Sequence, residues 1–134
     1  MRALALLGLL LVCSCSAKPA PARAVPTAEV ERVRVELAHL AQVSAAQVRY
    51  VTGPAVTGNK IADVTLTVGP GASTITLRRE VAEVIWKSRI TPLDAVDLAF
   101  AKSRGSQPFE QVVIDFFGDQ AASLTRELGP RPLP

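Results

Sequence analysis

Apolar residues recur along this chain with two different periods, and the switches between them divide it into elements. Over 28–41, Val30, Val33, Leu37 and Leu40 fall at i, i+3, i+7 and i+10, while Glu29, Arg32, Glu36 and His39 lie elsewhere around the wheel. That spacing predicts an amphipathic helix lying on a core, with Thr27 as its cap. The period then shortens to two. A strand is expected over 47–52 and a second over 60–68, where Ala62, Val64, Leu66 and Val68 alternate with Ile61, Asp63, Thr65 and Thr67. Gly58-Asn59 suits a two-residue hairpin turn. Counting back from that turn pairs Val51 with Leu66 and sends Val48 and Tyr50 to the opposite face, so the reading requires a bulge at Gly53-Pro54.

Gly69 to Thr74 breaks the second strand and leads into a helix over 75–88, with Leu77, Val81, Val84, Ile85 and Ser88 on one face and Arg78, Arg79, Glu80, Glu83 and Lys87 around the rest. Thr91-Pro92 ends it. Over 94–101, Val96, Leu98 and Phe100 alternate with Asp97 and Ala99, which reads as a third strand; a helix entered through Thr91-Pro92 is the alternative. The turn-rich segment 102–108 precedes the most strand-like run of the chain, 109–117, with Val112, Ile114 and Phe116 facing one way and Val113, Asp115 and Phe117 the other. Asp119 is the expected cap of a last helix through Leu128, stopped by Gly129-Pro130.

The order α-β-β-α-β-β-α predicts an α+β fold: one four-stranded, mostly antiparallel sheet with helices packed on one face. That element order resembles small exported α+β modules such as the BON domain and the ring-building domains of bacterial secretion lipoproteins. The resemblance implies a module that binds partners or lipid surfaces and carries no chemistry of its own. About a hundred residues from Thr27 to Gly129, in a chain that is 49% hydrophobic, suffice for one core and no more. The expected organisation is a signal peptide over 1–14, a lipidated cysteine and Pro/Ala-rich linker over 15–26, the domain over 27–130 and a tail over 131–134.

The first segment changes the picture most. Arg2 precedes an uninterrupted apolar run of ten residues, 3–12. A membrane-spanning helix needs about 20 such residues, whereas this length suits the central region of a signal peptide. Val12-Cys13-Ser14-Cys15 places a small residue immediately before Cys15 and a branched aliphatic three positions before it. This resembles the lipobox of bacterial lipoproteins, with Cys13 an unusual occupant of the second position. Cleavage before Cys13 would put the bulky Val12 at the cut.

The resemblance implies a diacylglycerol on the Cys15 sulfur and, usually, acylation of its new amino group. The protein would then be held on the outer face of the plasma membrane or in an outer membrane; Ser16 does not resemble the aspartate that retains lipoproteins at the inner membrane. Cleavage after Ala17 or Ala24, releasing a soluble secreted protein, is the alternative. Prolines 19, 21 and 26 favour an extended spacer, rising about 3.1 Å per residue, between anchor and domain. With Cys15 acylated no second cysteine remains for a disulfide, so the domain is expected to stand on its core.

Candidate chemistry is thin. His39 is the sole histidine and sits on the polar side of its helix without a spaced nucleophile or second ligand, so neither catalysis nor zinc is expected. Gly69-Pro70-Gly71 lies between strand and helix but lacks the third glycine of a phosphate-binding turn. Asp94, Asp97, Asp115 and Asp119 would matter to an enzyme only if two of them shared a cleft. Trp86, bordered by Lys87 and Arg89, departs from the apolar stripe; it reads as a surface anchor or as a side chain at the rim of the core under Ile90 and Leu93. Of 15 Lys and Arg, loss of Arg2 leaves 14 against 12 acidic residues, a net +2 that is weak for nucleic-acid binding.

The sequence therefore predicts a membrane-anchored envelope lipoprotein, not an enzyme. It would use no cofactor or metal and act as a binding or assembly module for an envelope protein or component. A carrier or sensor enclosing a small apolar ligand in a pocket lined by Val112, Ile114, Phe116 and the helix stripes is the competing reading.

Overall fold

The computed structural model describes residues 27–52 and 58–133. They form α1 (Thr27–Ala38), β1 (Val43–Thr52), β2 (Lys60–Val68), α2 (Thr74–Trp86), β3 (Ala95–Ala101), β4 (Glu110–Asp115) and α3 (Gly118–Leu128), an α+β fold in the predicted order. α1 buries Val33 and Leu37 of its stripe completely. Its outer face is laced by Arg32–Glu29, Arg32–Glu36 and Arg34–Glu31 pairs at helical i,i+3 and i,i+4 spacing.

The helix ends earlier than its periodicity suggests because the chain turns sharply at Gln42, whose φ is +67°. The Gln42 carbonyl accepts the Gly69 N–H at 2.9 Å, tying this turn to the end of β2. β1 consequently begins at Val43 instead of 47.

The sheet order is β1-β2-β3-β4. β1–β2 and β3–β4 are antiparallel, while β2–β3 is parallel because α2 carries the chain back across the sheet. The β1–β2 register differs from the one counted back from Gly58-Asn59. Thr52 pairs with Lys60 and Val51 with Ile61, so residues 53–59 connect the strands instead of a two-residue turn. The proposed bulge at Gly53-Pro54 falls outside the described residues. The ladder's irregularity is at Val43/Ala45. Burial explains the register: Val48 opposite Val64 and Tyr50 opposite Ala62 put the apolar sides of both strands under the helices without a corrective bulge.

The core lies between one sheet face and the helices. Ala62, Val64, Leu66 and Val68 of β2 meet Val96, Leu98 and Phe100 of β3, Ile114 of β4, and Leu77, Val81 and Ile85 of α2. α2 is capped by Ser73, whose hydroxyl accepts the Thr76 N–H at 3.3 Å. β3 is the strand expected over 94–101 and is buried along nearly its whole length, as a central strand with a parallel neighbour should be.

α3 departs from expectation at its start. Its cap position is Phe117, with no side-chain hydrogen bond, and Asp119 lies in the first turn, where its charge favours the helix dipole without capping it. Gly129, at φ +82°, ends α3 as predicted and donates its N–H to the Thr125 carbonyl.

Candidate functional site

The alternation of β4 sends Val112 and Ile114 toward the helices and leaves Val113 on the other face, 56% exposed. α2 presents Ile75, Arg78, Arg79, Ala82 and Glu83 along the flank nearest β4, and α3 presents Gln120, Leu124, Glu127 and Leu128. α3 buries none of its side chains completely, so these elements leave a groove of about 330 Å³ open at the β4 margin. Its floor is aliphatic and its rim carries both signs of charge. Arg78 is paired with Glu110, and that hydrogen bond holds the Glu110 carboxyl below the usual carboxylate range. Glu83 is likewise held down by Lys87, 2.5 Å away. The Nε of Arg78 is buried without a partner among the described residues.

Val112 and Ile114, the two strand residues expected to line an apolar pocket, do line this groove. Phe116, the third, is 7% exposed and packs edge-on against Trp86, with 5.5 Å between ring centroids. Trp86 itself is 4% exposed, so the surface-anchor reading of it is corrected. The indole N–H donates to the Gly129 carbonyl at 2.8 Å. The Arg131 guanidinium lies 5.6 Å from the Trp86 ring centroid and 5.5 Å from that of Phe116. It also donates to the carbonyls of Ile90 at 2.7 Å and Trp86 at 3.3 Å. Burial lowers the Arg131 pKa from its ordinary value.

Lys87 and Arg89 are exposed but separately engaged. Lys87 is tied to Glu83, and the Arg89 backbone N–H donates to Glu29 at 2.8 Å, joining the end of α2 to the first turn of α1. The role of Arg131 was invisible in the sequence: it lies in a proline-flanked tail with no periodicity, and only the fold brings Trp86, Phe116 and the Ile90 carbonyl to it.

The carboxylates serve the sheet. Asp94 accepts the Lys60 N–H at 2.7 Å and returns its own N–H to the Lys60 carbonyl at 2.8 Å, pinning the start of β3 to β2. Tyr50 donates to the Pro92 carbonyl beside it; burial, then the Asp94 charge, raises the phenol's pKa. On the face away from the helices Arg49 pairs with Asp63 at 2.5 Å, and Asp97, next to Asp63 in the register, accepts from Gln111 at 2.8 and 3.0 Å. None of Asp94, Asp97, Asp115 and Asp119 lines the groove.

His39 is exposed, its Nδ1 hydrogen-bonded to the Val35 carbonyl at 2.7 Å. Among the described residues no three His, Cys, Asp or Glu side chains are grouped to hold a metal ion, and no helix is long and apolar enough to cross a membrane. Gly69 to Gly71 form a plain strand-to-helix turn beside Ala72, Lys102 and Phe109. Cys15 lies outside the described residues.

Compared with family models, curated proteins and solved structures, the chain matches none. The functional reading rests on its own residues.

Proposed function

We propose that this chain is a lipid-anchored envelope protein whose α+β domain acts as a non-enzymatic binding or assembly module. The observation that carries the reading is the sequence of the first fifteen residues: Arg2, a ten-residue apolar run, and Cys15 preceded by the small Ser14. Acylation there would tether the domain through 16–26, a segment whose three prolines would favour an extended spacer. A tether restricts the domain to partners near the membrane and raises its effective concentration toward them.

The domain's polar side chains support a binding role over a chemical one. Asp63, Asp94 and Asp97 are committed to holding strands together, and the apolar groove between α2, β4 and α3 offers contact area. Detergent partitioning and intact mass of the protein, beside Cys15→Ala, test the anchor. A mature wild-type chain recovered unacylated in the aqueous phase would refute it and leave the soluble secreted form.

The groove also favours a second reading, a carrier or sensor for a small apolar ligand, since Val112 and Ile114 line about 330 Å³, within the range of small-molecule sites. An environment-sensitive apolar dye whose binding is unaffected by Leu124→Asp, in a variant that retains its fold, would contradict it.

A further inference from the structure

The sheet has two margins, and they are finished differently. β1 lies under α1, carries the ladder's irregularity at Val43/Ala45 and exposes Gln47 and Arg49. Bulges and charges of this kind discourage the pairing of an edge with another strand. β4 is more regular: its register with β3 is unbroken from Glu110 to Asp115, no lysine or proline interrupts it, and its two carboxylates stand at its ends, Glu110 paired with Arg78.

Exposed apolar side chains gather along this second margin. Val113 is 56% exposed at its centre, Phe109 is 49% exposed just before it and Phe117 is 58% exposed just after it. Phe116 donates its N–H to the Asp94 carbonyl at 2.7 Å, so the alternation of an antiparallel ladder turns the even-numbered residues of β4 toward β3 and Gln111, Val113 and Asp115 outward. The Asp115 N–H is met by the exposed Gln120 side chain at 3.1 Å, while those of Gln111 and Val113 face away from β3 at the edge of the sheet.

We propose that β4 pairs antiparallel with β4 of a second copy, about a two-fold axis through Val113, to give a homodimer with one continuous eight-stranded sheet. The register supports a second copy over a foreign strand because the edge is self-complementary about that point. Val113 meets Val113 of the other copy, Val112 meets Ile114 on the helix side, and Gln111 meets Asp115 on the open side. Phe117 falls at the Phe109 end of the partner. Glu110 comes opposite Phe116, so no two carboxylates are juxtaposed, whereas a register centred on Asp115 would oppose them directly. The two outward N–H groups gain acceptors, and the Gln111 carbonyl takes over the Asp115 N–H from Gln120. An axis normal to the sheet keeps both helix layers on one side, so the grooves beside β4 meet at the seam.

The test uses the full chain, isolated from membranes in detergent, with cysteine placed on one margin at a time. Val113→Cys should form an oxidant-dependent species of twice the chain mass, because directly opposed residues of a hydrogen-bonded pair lie about 5.5 Å apart at Cα. Gln47→Cys, on the β1 margin, and the parent chain should not. Val113→Lys should convert a dimer into a monomer in light scattering with its circular dichroism unchanged. A folded Val113→Cys chain that stays single, equal cross-linking at both margins, or a parent chain that is monomeric in light scattering would overturn the proposal.

Discussion

At the residue scale, Arg131 and Trp86 show how a side chain's role depends on groups far from it in sequence. The guanidinium rests on two aromatic faces while satisfying carbonyls at and beyond the end of α2, and the indole N–H closes the same corner against Gly129. Arg131→Ala leaves the Ile90 carbonyl without its donor and uncovers both rings. Losing hydrogen bonds from a charged donor at a part-buried site predicts a loss of about 1.5–3 kcal/mol in urea unfolding. An unchanged midpoint and slope would show that the tail contributes nothing.

The acidic residues predict a pH dependence of known sign. Glu29, Glu83 and Glu110 are each held below the ordinary carboxylate range, foremost by hydrogen bonds from Arg32, Lys87 and Arg78 respectively. Groups with depressed folded-state pKa values add stability above their unfolded values, about 4.3, and lose that contribution as pH falls through the folded ones. Thermal stability should therefore be flat near neutrality and decline below about pH 4.5. Arg78→Gln should shallow the decline by removing the Glu110 share. A melting temperature that rises on acidification over that range would contradict this assignment.

At the scale of elements, legibility followed how local each determinant was. β2 was readable because every second residue is buried while the intervening ones are half-buried, so the period of two survives in the sequence. β3 was ambiguous for a physical reason: a central strand is buried on both faces, which erases alternation and leaves an apolar run that either period fits. The β1–β2 register was misread because Gly58-Asn59 is a good local turn signal, yet the burial of Val48 and Tyr50 is non-local and outweighs it. The groove was half legible. Val112 and Ile114 follow from alternation, but Ile75, Arg79 and Leu124 join them only through the placement of α2 and α3. α2's start depends on a local contact that can be tested directly. Ser73→Ala removes the hydroxyl that accepts the Thr76 N–H, and should cost about 0.5–2 kcal/mol in urea unfolding, with Ser73→Asp restoring most of it. No difference between the two variants would show that the cap is idle.

At the scale of the whole molecule, the domain's surfaces suit contact, and the proposed anchor would hold them beside a membrane. The helices cover one face of the sheet, the opposite face carries the Arg49–Asp63 pair and Asp97, and β4 presents the apolar margin. A tether that confines copies to one membrane surface favours edge pairing, because it turns a bimolecular encounter in volume into one within a thin layer. The proposed anchor turns on Cys15. The most direct test is the intact mass of the mature protein from a bacterial envelope, combined with detergent partitioning of wild type and Cys15→Ala. The account predicts a wild-type chain that begins at an acylated Cys15 and enters the detergent phase, with the variant excluded from it. A wild-type chain that begins after Ala17 or later, unacylated and aqueous, would contradict the anchor and move the site of action to the periplasm or the medium.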